Sequence, residues 1–261
     1  MIVVLGGEKG GVAKTTLATN LAVMRLLAGH DPLLLDTDRQ RTASKWASLR
    51  DEYGHAPRVR CLHKIVERGG GQALVHELKD LASRYEDIIV DVGGRDSPEL
   101  RAAMAVADRL FVPLQPSQFD LWTLEEIWRL VQDVQVINPG LSAQIVLCRV
   151  STNPQIREDQ EAREELAGLD GMGILETVVH ERTLFRKAAR AGQGVVEYAR
   201  SLPRADRAHQ AAEELAQLYR QVFDVPYRRI DDPGPGTERP PCPAVSGGGG
   251  ERPRALAALG A

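Results

Sequence analysis

The stretch MIVVLGGEKGGVAKTTLATN, residues 1–20, determines the fold predicted for this chain. Its apolar run Ile2–Leu5 leads through a glycine-rich turn into a segment where Leu17, Leu21 and Met24 recur at helical spacing. A turn between a strand and a helix suits a phosphate-binding loop, because backbone N–H groups and the positive end of the helix dipole meet at one anion. The sequence therefore predicts a phosphate site at its first strand–helix junction.

The residues predicted to bind these phosphates are contiguous: Gly10, Gly11, Val12, Ala13, Lys14, Thr15 and Thr16. Lys14 is expected to reach the β- and γ-phosphates of a nucleoside triphosphate, and the Thr15 hydroxyl to bind Mg²⁺. The loop departs from the G-x-x-x-x-G-K-[ST] pattern, because Glu8 and Ala13 occupy its glycine positions. Ala13 must therefore accept a backbone shape compatible with its Cβ, or the loop is strained. An incidental glycine turn with nearby lysines is the alternative.

Further aliphatic runs predict the other strands of a parallel sheet. These runs are Leu33–Leu35, Ile88–Val90, Leu110–Val112 and Ile145–Leu147, and segments of helical character separate them. Strands that alternate with helices predict an α/β fold with a doubly wound, mainly parallel sheet and helices on both faces.

The length and composition favour one domain rather than two. The chain has 261 residues, of which 43% are hydrophobic and 26% charged, as expected of a soluble globular protein. We predict one nucleoside-triphosphate-binding domain over residues 1–224 and a disordered tail over 225–261, because that tail is rich in proline and glycine and poor in apolar residues. The net charge of −3 excludes a globally basic nucleic-acid coat, so any DNA contact requires a local patch.

Two predicted strands end in aspartates. Asp36 and Asp38 belong to a segment, residues 36–40, that we call switch I. Alternation along a strand places both side chains on one face, so both are expected to point into the crevice at the carboxyl end of the sheet. A turn that caps the next helix is the alternative. Asp91 opens a second segment, residues 91–94, that we call switch II, where Gly93 and Gly94 permit a mobile loop.

These motifs together resemble the ParA partition ATPases, which are P-loop NTPases with a deviant Walker A motif. Lys9, two residues before Gly11, is similar to the signature lysine of that family, which reaches across a dimer to the partner's ATP. The resemblance implies a homodimer that encloses ATP and Mg²⁺, with Lys9, Lys14 and Asp38 as catalytic residues. A surface lysine near the phosphates is the alternative for Lys9.

The resemblance also implies roles for the aspartates. Switch I is similar to the D-x-D-P-Q segment of the family, with Arg39 in place of proline. Asp38 would orient or deprotonate the attacking water. The residues implied near the metal are Thr15, Asp36 and Asp91, the last through a bound water. Switch II lacks the prolines that the family often carries there, which leaves its details open.

A base pocket is expected after the Ile145–Leu147 strand, where the family commonly builds it. Arg149 and Asn153 follow that strand and are the candidates for contact with the nucleotide base. Either residue is equally well explained as part of a solvated loop.

A basic segment near the end of the domain is the candidate DNA contact. Arg182, Arg186 and Arg190 recur every fourth residue beside Lys187, so on a helix they form one basic stripe. The segment resembles the one by which small ParA proteins bind the DNA backbone without sequence preference. A solvated helix face paired with acids elsewhere is the alternative.

The expected function is ATP-driven partition of a plasmid or chromosome with a ParB-like centromere-binding protein. The chain looks like the short ParA type without an N-terminal helix-turn-helix, because its first strand begins at Ile2. A cytoplasmic location is expected, on the nucleoid when ATP is bound, without stable membrane association. Two alternatives remain open. One is an ATPase of the same type that positions a protein complex or conjugation machinery, and the other is a nucleotide-gated adaptor with little hydrolysis.

Overall fold

The computed structural model describes residues 1–66, 70–94, 96–168, 171–203 and 208–232, and within them all side chains except those of residues 118–123 and 208. Most of the predicted tail, from residue 233 onward, lies outside the described residues. In the described part, no helix combines the length and the apolar character needed to cross a bilayer.

A parallel sheet forms the centre of the domain. The described strands are β1 (Ile2–Leu5), β2 (Pro32–Asp36), β3 (Arg60–His63), β4 (Asp87–Asp91), β5 (Arg109–Leu114), β6 (Ser142–Val150) and β7 (Gly173–His180). Their order is β3-β2-β4-β1-β5-β6-β7, and each neighbouring pair is parallel. The carboxyl ends of all these strands therefore lie along one edge of the sheet.

Helices cover both faces of the sheet. They are α1 (Lys14–Leu27), α2 (Thr42–Glu52), α3 (Gly71–Ala82), α4 (Pro98–Met104), α5 (Gln118–Ile137), α6 (Glu158–Leu166), α7 (Thr183–Arg190), α8 (Val195–Arg200) and α9 (Ala208–Phe223). One apolar core joins α3, α4, α5 and α6 to the sheet, and a second core joins α1, α2, α7, α8 and α9 to its other face. The doubly wound α/β fold predicted from the sequence is confirmed.

The two edge strands were not predicted. Along β3 exposed residues alternate with half-buried ones, and Glu176 and Thr177 interrupt β7. Edge strands are covered on fewer sides than central ones, so they lack the continuous aliphatic character that identified the five inner strands.

The compact unit extends past the predicted boundary at residue 224. It includes Met1–Ile230. The Ile230 amide donates to the Leu27 carbonyl at 3.0 Å, and the Tyr227 ring packs edge-on against Tyr219 with centroids 5.2 Å apart. These contacts assign residues 225–230 to the domain, because an aromatic ring and an aliphatic side chain supply apolar contacts that proline and glycine content does not reveal.

Candidate functional site

A cleft of about 920 Å³ lies at the carboxyl edge of the sheet. The loop before α1, switch I, the glycines of switch II, the start of α4, the ends of β6 and β7 and the segment after β7 all contribute to its lining. Ligands of parallel α/β sheets bind at this edge, because the loops that follow neighbouring strands converge there.

The loop before α1 has the shape required to hold an anion. Gly11 has a φ of 81° and Ala13 a φ of 87°, so both residues are left-handed. In an alanine this conformation costs about 1 kcal/mol. Of the two possibilities left by the sequence, the loop is therefore strained at Ala13. Helix α1 begins at Lys14 without a side-chain cap, which leaves its first amides directed at the cleft.

One lysine and two aspartates predicted for the site, Lys14, Asp38 and Asp91, come together beneath this loop. Lys14 donates from Nζ to the Lys9 carbonyl at 2.5 Å. Burial lowers the pKa of Lys14, while the nearby carboxylates of Asp91 and Asp38 oppose that shift. The ammonium group is thus held at the floor of the loop, among the groups expected to contact phosphate and metal.

Asp91 is a buried carboxylate at the end of β4. Burial raises its pKa to about 7, against the opposing influence of Thr15 and Lys14. Within the described residues, neither Asp91 oxygen accepts a hydrogen bond that satisfies normal geometry. A buried acceptor without a donor lowers the stability of the folded protein. Its position therefore suits a partner from outside the polypeptide, such as a hydrated metal ion.

The cost of this carboxylate predicts that Asp91→Asn stabilises the nucleotide-free protein. The folded-state pKa of Asp91 is raised, so its penalty is absent below about pH 4 and complete above about pH 7. At pH 8 the variant is expected to melt about 4 °C or more above the parent, and at pH 4 the two should coincide. Thermal unfolding at both values measures this, with the exposed Asp80→Asn as control; a lower melting temperature at pH 8 contradicts it.

Asp36 and Asp38 do not both point into the cleft, which corrects the prediction from strand alternation. Strand β2 ends at Asp36, so alternation does not continue to Asp38. The Asp36 carboxylate is buried, and it accepts from the Asp38 amide at 3.0 Å and from the Ser44 amide at 2.8 Å. Asp36 therefore shapes switch I and caps the first turn of α2, as the alternative had it, while Asp38 lines the cleft.

Switch II contacts both switch I and the phosphate loop. A Cβ added at Gly93 would lie 3.4 Å from the Asp38 Cγ, and one added at Gly94 would lie 2.9 Å from the Glu8 carbonyl oxygen. The second distance is shorter than real Cβ contacts, so a side chain at Gly94 would push against the backbone that carries Lys9. Close approach therefore requires a glycine at position 94, whereas a Cβ at Gly93 would make an ordinary contact with Asp38.

Lys9 lies on the other side of its loop from the cleft. It borders a small gap between the loop and α5, together with Val12, Pro113 and Leu124, and it is not among the residues that line the cleft. Of the two lysines, Lys14 lines the cleft and Lys9 does not.

The predicted base-pocket residues behave differently from each other. Arg149 lines the cleft, donating to the Gly11 carbonyl at 3.1 Å and to Glu181 at 2.7 Å. The Asn153 side chain instead accepts from the Gln155 amide at 3.1 Å, and it does not line the cleft. Asn153 therefore closes a turn of its own loop, as the solvated-loop alternative had it.

The predicted basic stripe is only partly formed. Arg182 precedes α7 in an extended conformation, and its largely buried guanidinium pairs with Glu214 at 2.6 Å. It is therefore not part of a helical stripe, because α7 begins at Thr183. Arg186, Lys187 and Arg190 are exposed on α7, and Arg186 also borders the cleft, where it pairs with Glu181 at 3.1 Å.

Glu99 and Glu181 line the cleft although sequence reasoning did not identify them. Glu99 is buried in the first turn of α4, a helix that carries none of the sequence motifs identified above. Glu181 follows β7, a strand that was not predicted, so no pattern placed it at the carboxyl edge of the sheet.

Known proteins identify the family. The family model of the ATPase MipZ matches residues 1–149. The maintenance of carboxysome distribution protein A of Gloeobacter kilaueensis is 30% identical over 230 residues, which cover 85% of this chain and 96% of that protein. The chromosome-partitioning ATPase Soj of Thermus thermophilus is 24% identical over 82% of this chain and 94% of its own length. The chain is a ParA-type P-loop ATPase.

The fold of this ParA-type ATPase agrees with solved structures. An aspartate-to-alanine variant of McdA from Cyanothece in complex with ATP superposes with a TM-score of 0.64 at 14% identity, over 86% of this chain and 96% of that one. A likeness at this identity shows the fold alone. Family membership makes the chain a nucleotide-binding ATPase.

Proposed function

We propose that this ParA-type ATPase dimerises around ATP, binds DNA without sequence preference while dimeric, and positions a cargo through a partner protein that stimulates hydrolysis. One observation carries the proposal: Lys14, Asp38 and Asp91 converge beneath the phosphate loop, while Lys9 lies on the outer side of the same loop. The first three residues serve the cleft of their own chain, and a lysine excluded from that cleft is suited to serve a second chain.

The nucleotide would bind with its phosphates on the loop of residues 10–16. The amides of that loop and of the first turn of α1 would hold the phosphate oxygens, and Lys14 would neutralise the β- and γ-phosphates. Arg149, which already bridges Gly11 and Glu181, would border the base or ribose. Asp38 would orient the attacking water and accept its proton.

The residues near Asp91 fit Mg²⁺. The two Asp91 carboxylate oxygens are buried, and neither accepts a hydrogen bond of normal geometry within the described residues, while the Thr15 hydroxyl lies near enough to lower the pKa of Asp91. Thr15 would bind the ion directly and Asp91 through a water, since Mg²⁺ prefers oxygen ligands and retains part of its hydration shell. When bound, the ion would offset charge on the phosphates. Both oxygens of Asp36 already accept amide hydrogen bonds, which favours a supporting role for that residue.

DNA binding is assigned to the exposed cations of α7. Lys187 and Arg190 are exposed at the end of that helix, and Arg186, which is also exposed, borders the cleft. The net charge of −3 makes such a patch local, and two copies in a dimer would double it. ATP-dependent dimerisation would then control DNA affinity through avidity, without any change within α7.

A double variant, Lys187→Ala with Arg190→Ala, is expected to lower the affinity for non-specific duplex DNA about 10-fold in the presence of ATP. Lost phosphate contacts also reduce the slope of log K against log salt, by about 0.9 for each contact. Fluorescence anisotropy with a labelled duplex over a series of salt concentrations measures both quantities.

The matched control is Lys79→Ala with Arg84→Ala, which removes the same charges near the end of α3 on the other face of the sheet. If both double variants lose affinity equally, binding depends on net charge and α7 is not the contact. Unchanged binding in the α7 variant would likewise reject the assignment.

The cargo distinguishes two forms of the proposal. A plasmid or chromosome, carried through a ParB-like centromere-binding protein, is the form first expected, and the similarity to Soj supports it. A protein complex is the second form, and it is supported by the similarity to a protein that maintains carboxysome distribution. ATP turnover with DNA and the product of a neighbouring gene, compared with DNA alone, tests both: a partner that binds centromere DNA favours the first, and one that binds a protein assembly favours the second.

A further inference from the structure

A short segment at the end of β3, residues 63–66, contacts switch I and the helix that follows switch II. It begins with His63, the last residue of β3, and ends with Val66, which is buried. Neither residue lines the cleft, and no sequence motif marks either of them. Its contacts nevertheless reach the main chain of Asp38 and the helix that follows switch II.

His63 holds the backbone of Asp38. Its Nε2 lies 3.1 Å from the Asp38 carbonyl oxygen, a contact in which the ring nitrogen donates. The next amide, that of Lys64, donates to the Asp36 carbonyl at 2.9 Å. The end of β3 thus holds switch I at two places. The Lys64 amide holds the carbonyl of Asp36, and the His63 imidazole holds the carbonyl of Asp38.

Few other contacts fix Asp38 in place. Its amide donates to the Asp36 carboxylate, its carbonyl also accepts from the Arg41 amide at 3.0 Å, and its Oδ1 accepts from the Gln40 amide at 2.9 Å. Gln40 and Arg41 belong to the same turn and can move with it, while Asp36, the last residue of β2, holds only the amide of Asp38. His63 belongs to the sheet, so its hydrogen bond ties the turn to a rigid element.

The same segment is joined to the helix after switch II. The Val66 amide donates to Glu99 Oε1 at 3.1 Å, and Glu99 is buried in the first turn of α4 while also bordering the cleft. Residues 63–66 therefore contact both the backbone of Asp38 and α4, the helix that follows switch II.

We propose that His63 is a positioning residue for ATP hydrolysis, which sets the place of the Asp38 carboxylate by holding its main-chain carbonyl. The proposal rests on the catalytic role of Asp38 given under the proposed function. His63 acts through Asp38 and does not touch the nucleotide, so its loss affects turnover and leaves nucleotide binding intact.

His63→Ala is expected to lower kcat for ATP about 5-fold, the value of one hydrogen bond of about 1 kcal/mol, with KM changed less than about 2-fold. His63→Gln is expected to restore most of the loss, because its amide nitrogen can donate from a similar position. The control is Lys64→Ala, whose side chain pairs with Glu77 on α3 and which should turn over like the parent.

Steady-state phosphate release of each variant measures the effect on turnover, and thermal unfolding measures the effect on stability. Parent-like kcat in His63→Ala overturns the proposal, and so does an equal loss in His63→Gln accompanied by a lower melting temperature, which indicates a purely structural role. Asp38→Ala separates the two levels of inference. If that variant is inactive while His63→Ala is normal, only the role of His63 fails; if it retains turnover, the catalytic role of Asp38 fails and this proposal with it.

Discussion

Asp38→Ala is expected to slow ATP hydrolysis about 100-fold or more, the typical contribution of a positioned general base, while ATP remains bound. Asp38 lines the cleft, and Asp36, the other carboxylate of switch I, is committed to two backbone amides. The phosphate loop and Lys14 are untouched by the change, so the affinity for ATP should stay within a few-fold of the parent value. Phosphate release measures the first quantity and titration calorimetry with Mg·ATP the second.

The control for this experiment is Asp80→Ala, which removes an exposed aspartate from α3. It should leave both turnover and affinity unchanged. A variant at Asp38 that binds ATP weakly would show that the carboxylate supports the nucleotide, and turnover like that of the parent would assign the base to another group. Glu99, buried at the rim of the same cleft, would then be the first residue to substitute.

Lys9→Ala is expected to abolish ATP-dependent dimerisation while the monomer still binds ATP. In a two-fold symmetric dimer each substitution acts twice, because both lysines are lost. A hydrogen bond to a charged group contributes about 1.5–3 kcal/mol, so two such losses amount to roughly 3–6 kcal/mol and weaken the dimer about 100-fold or more. Light scattering with a slowly hydrolysed ATP analogue measures the dimer, and calorimetry measures the nucleotide.

Two comparisons make this result specific to Lys9. Lys14→Ala should lose nucleotide binding itself, because that ammonium lies beneath the loop of its own chain. Lys79→Ala, on the exposed surface of α3, should dimerise normally. If Lys9→Ala dimerises like the parent, the lysine does not act across the interface; if it fails to bind ATP, its role lies within its own cleft.

The inner strands of this fold were predictable, because strands that are buried on both faces consist of nearly continuous aliphatic residues. The five central strands are short aliphatic runs, and the phosphate loop follows the first of them directly. The start of α4 depends on local chemistry. Ser97 caps the helix by accepting from the Leu100 amide at 3.1 Å and Pro98 lies in the first turn, and both residue types are typical of a helix start.

Orientation at the ends of elements was harder to predict, because it depends on where each element stops. The alternation argument failed for Asp38, since β2 ends at Asp36, and the helical stripe failed for Arg182, since α7 begins one residue later. In each case the mispredicted residue lies just outside the end of a strand or helix. The roles of His63 and Glu99 had no local signal at all, because their partners lie 25 and 33 residues away in the chain.

The left-handed alanine at position 13 has a consequence for how readily the loop captures its ligand. Alanine prefers negative φ, so φ 87° at Ala13 is imposed by the surrounding fold, whereas a glycine would adopt it at little cost. The folding free energy of the domain therefore offsets the backbone strain of the loop, and the binding energy of an anion is not needed to produce the left-handed turn.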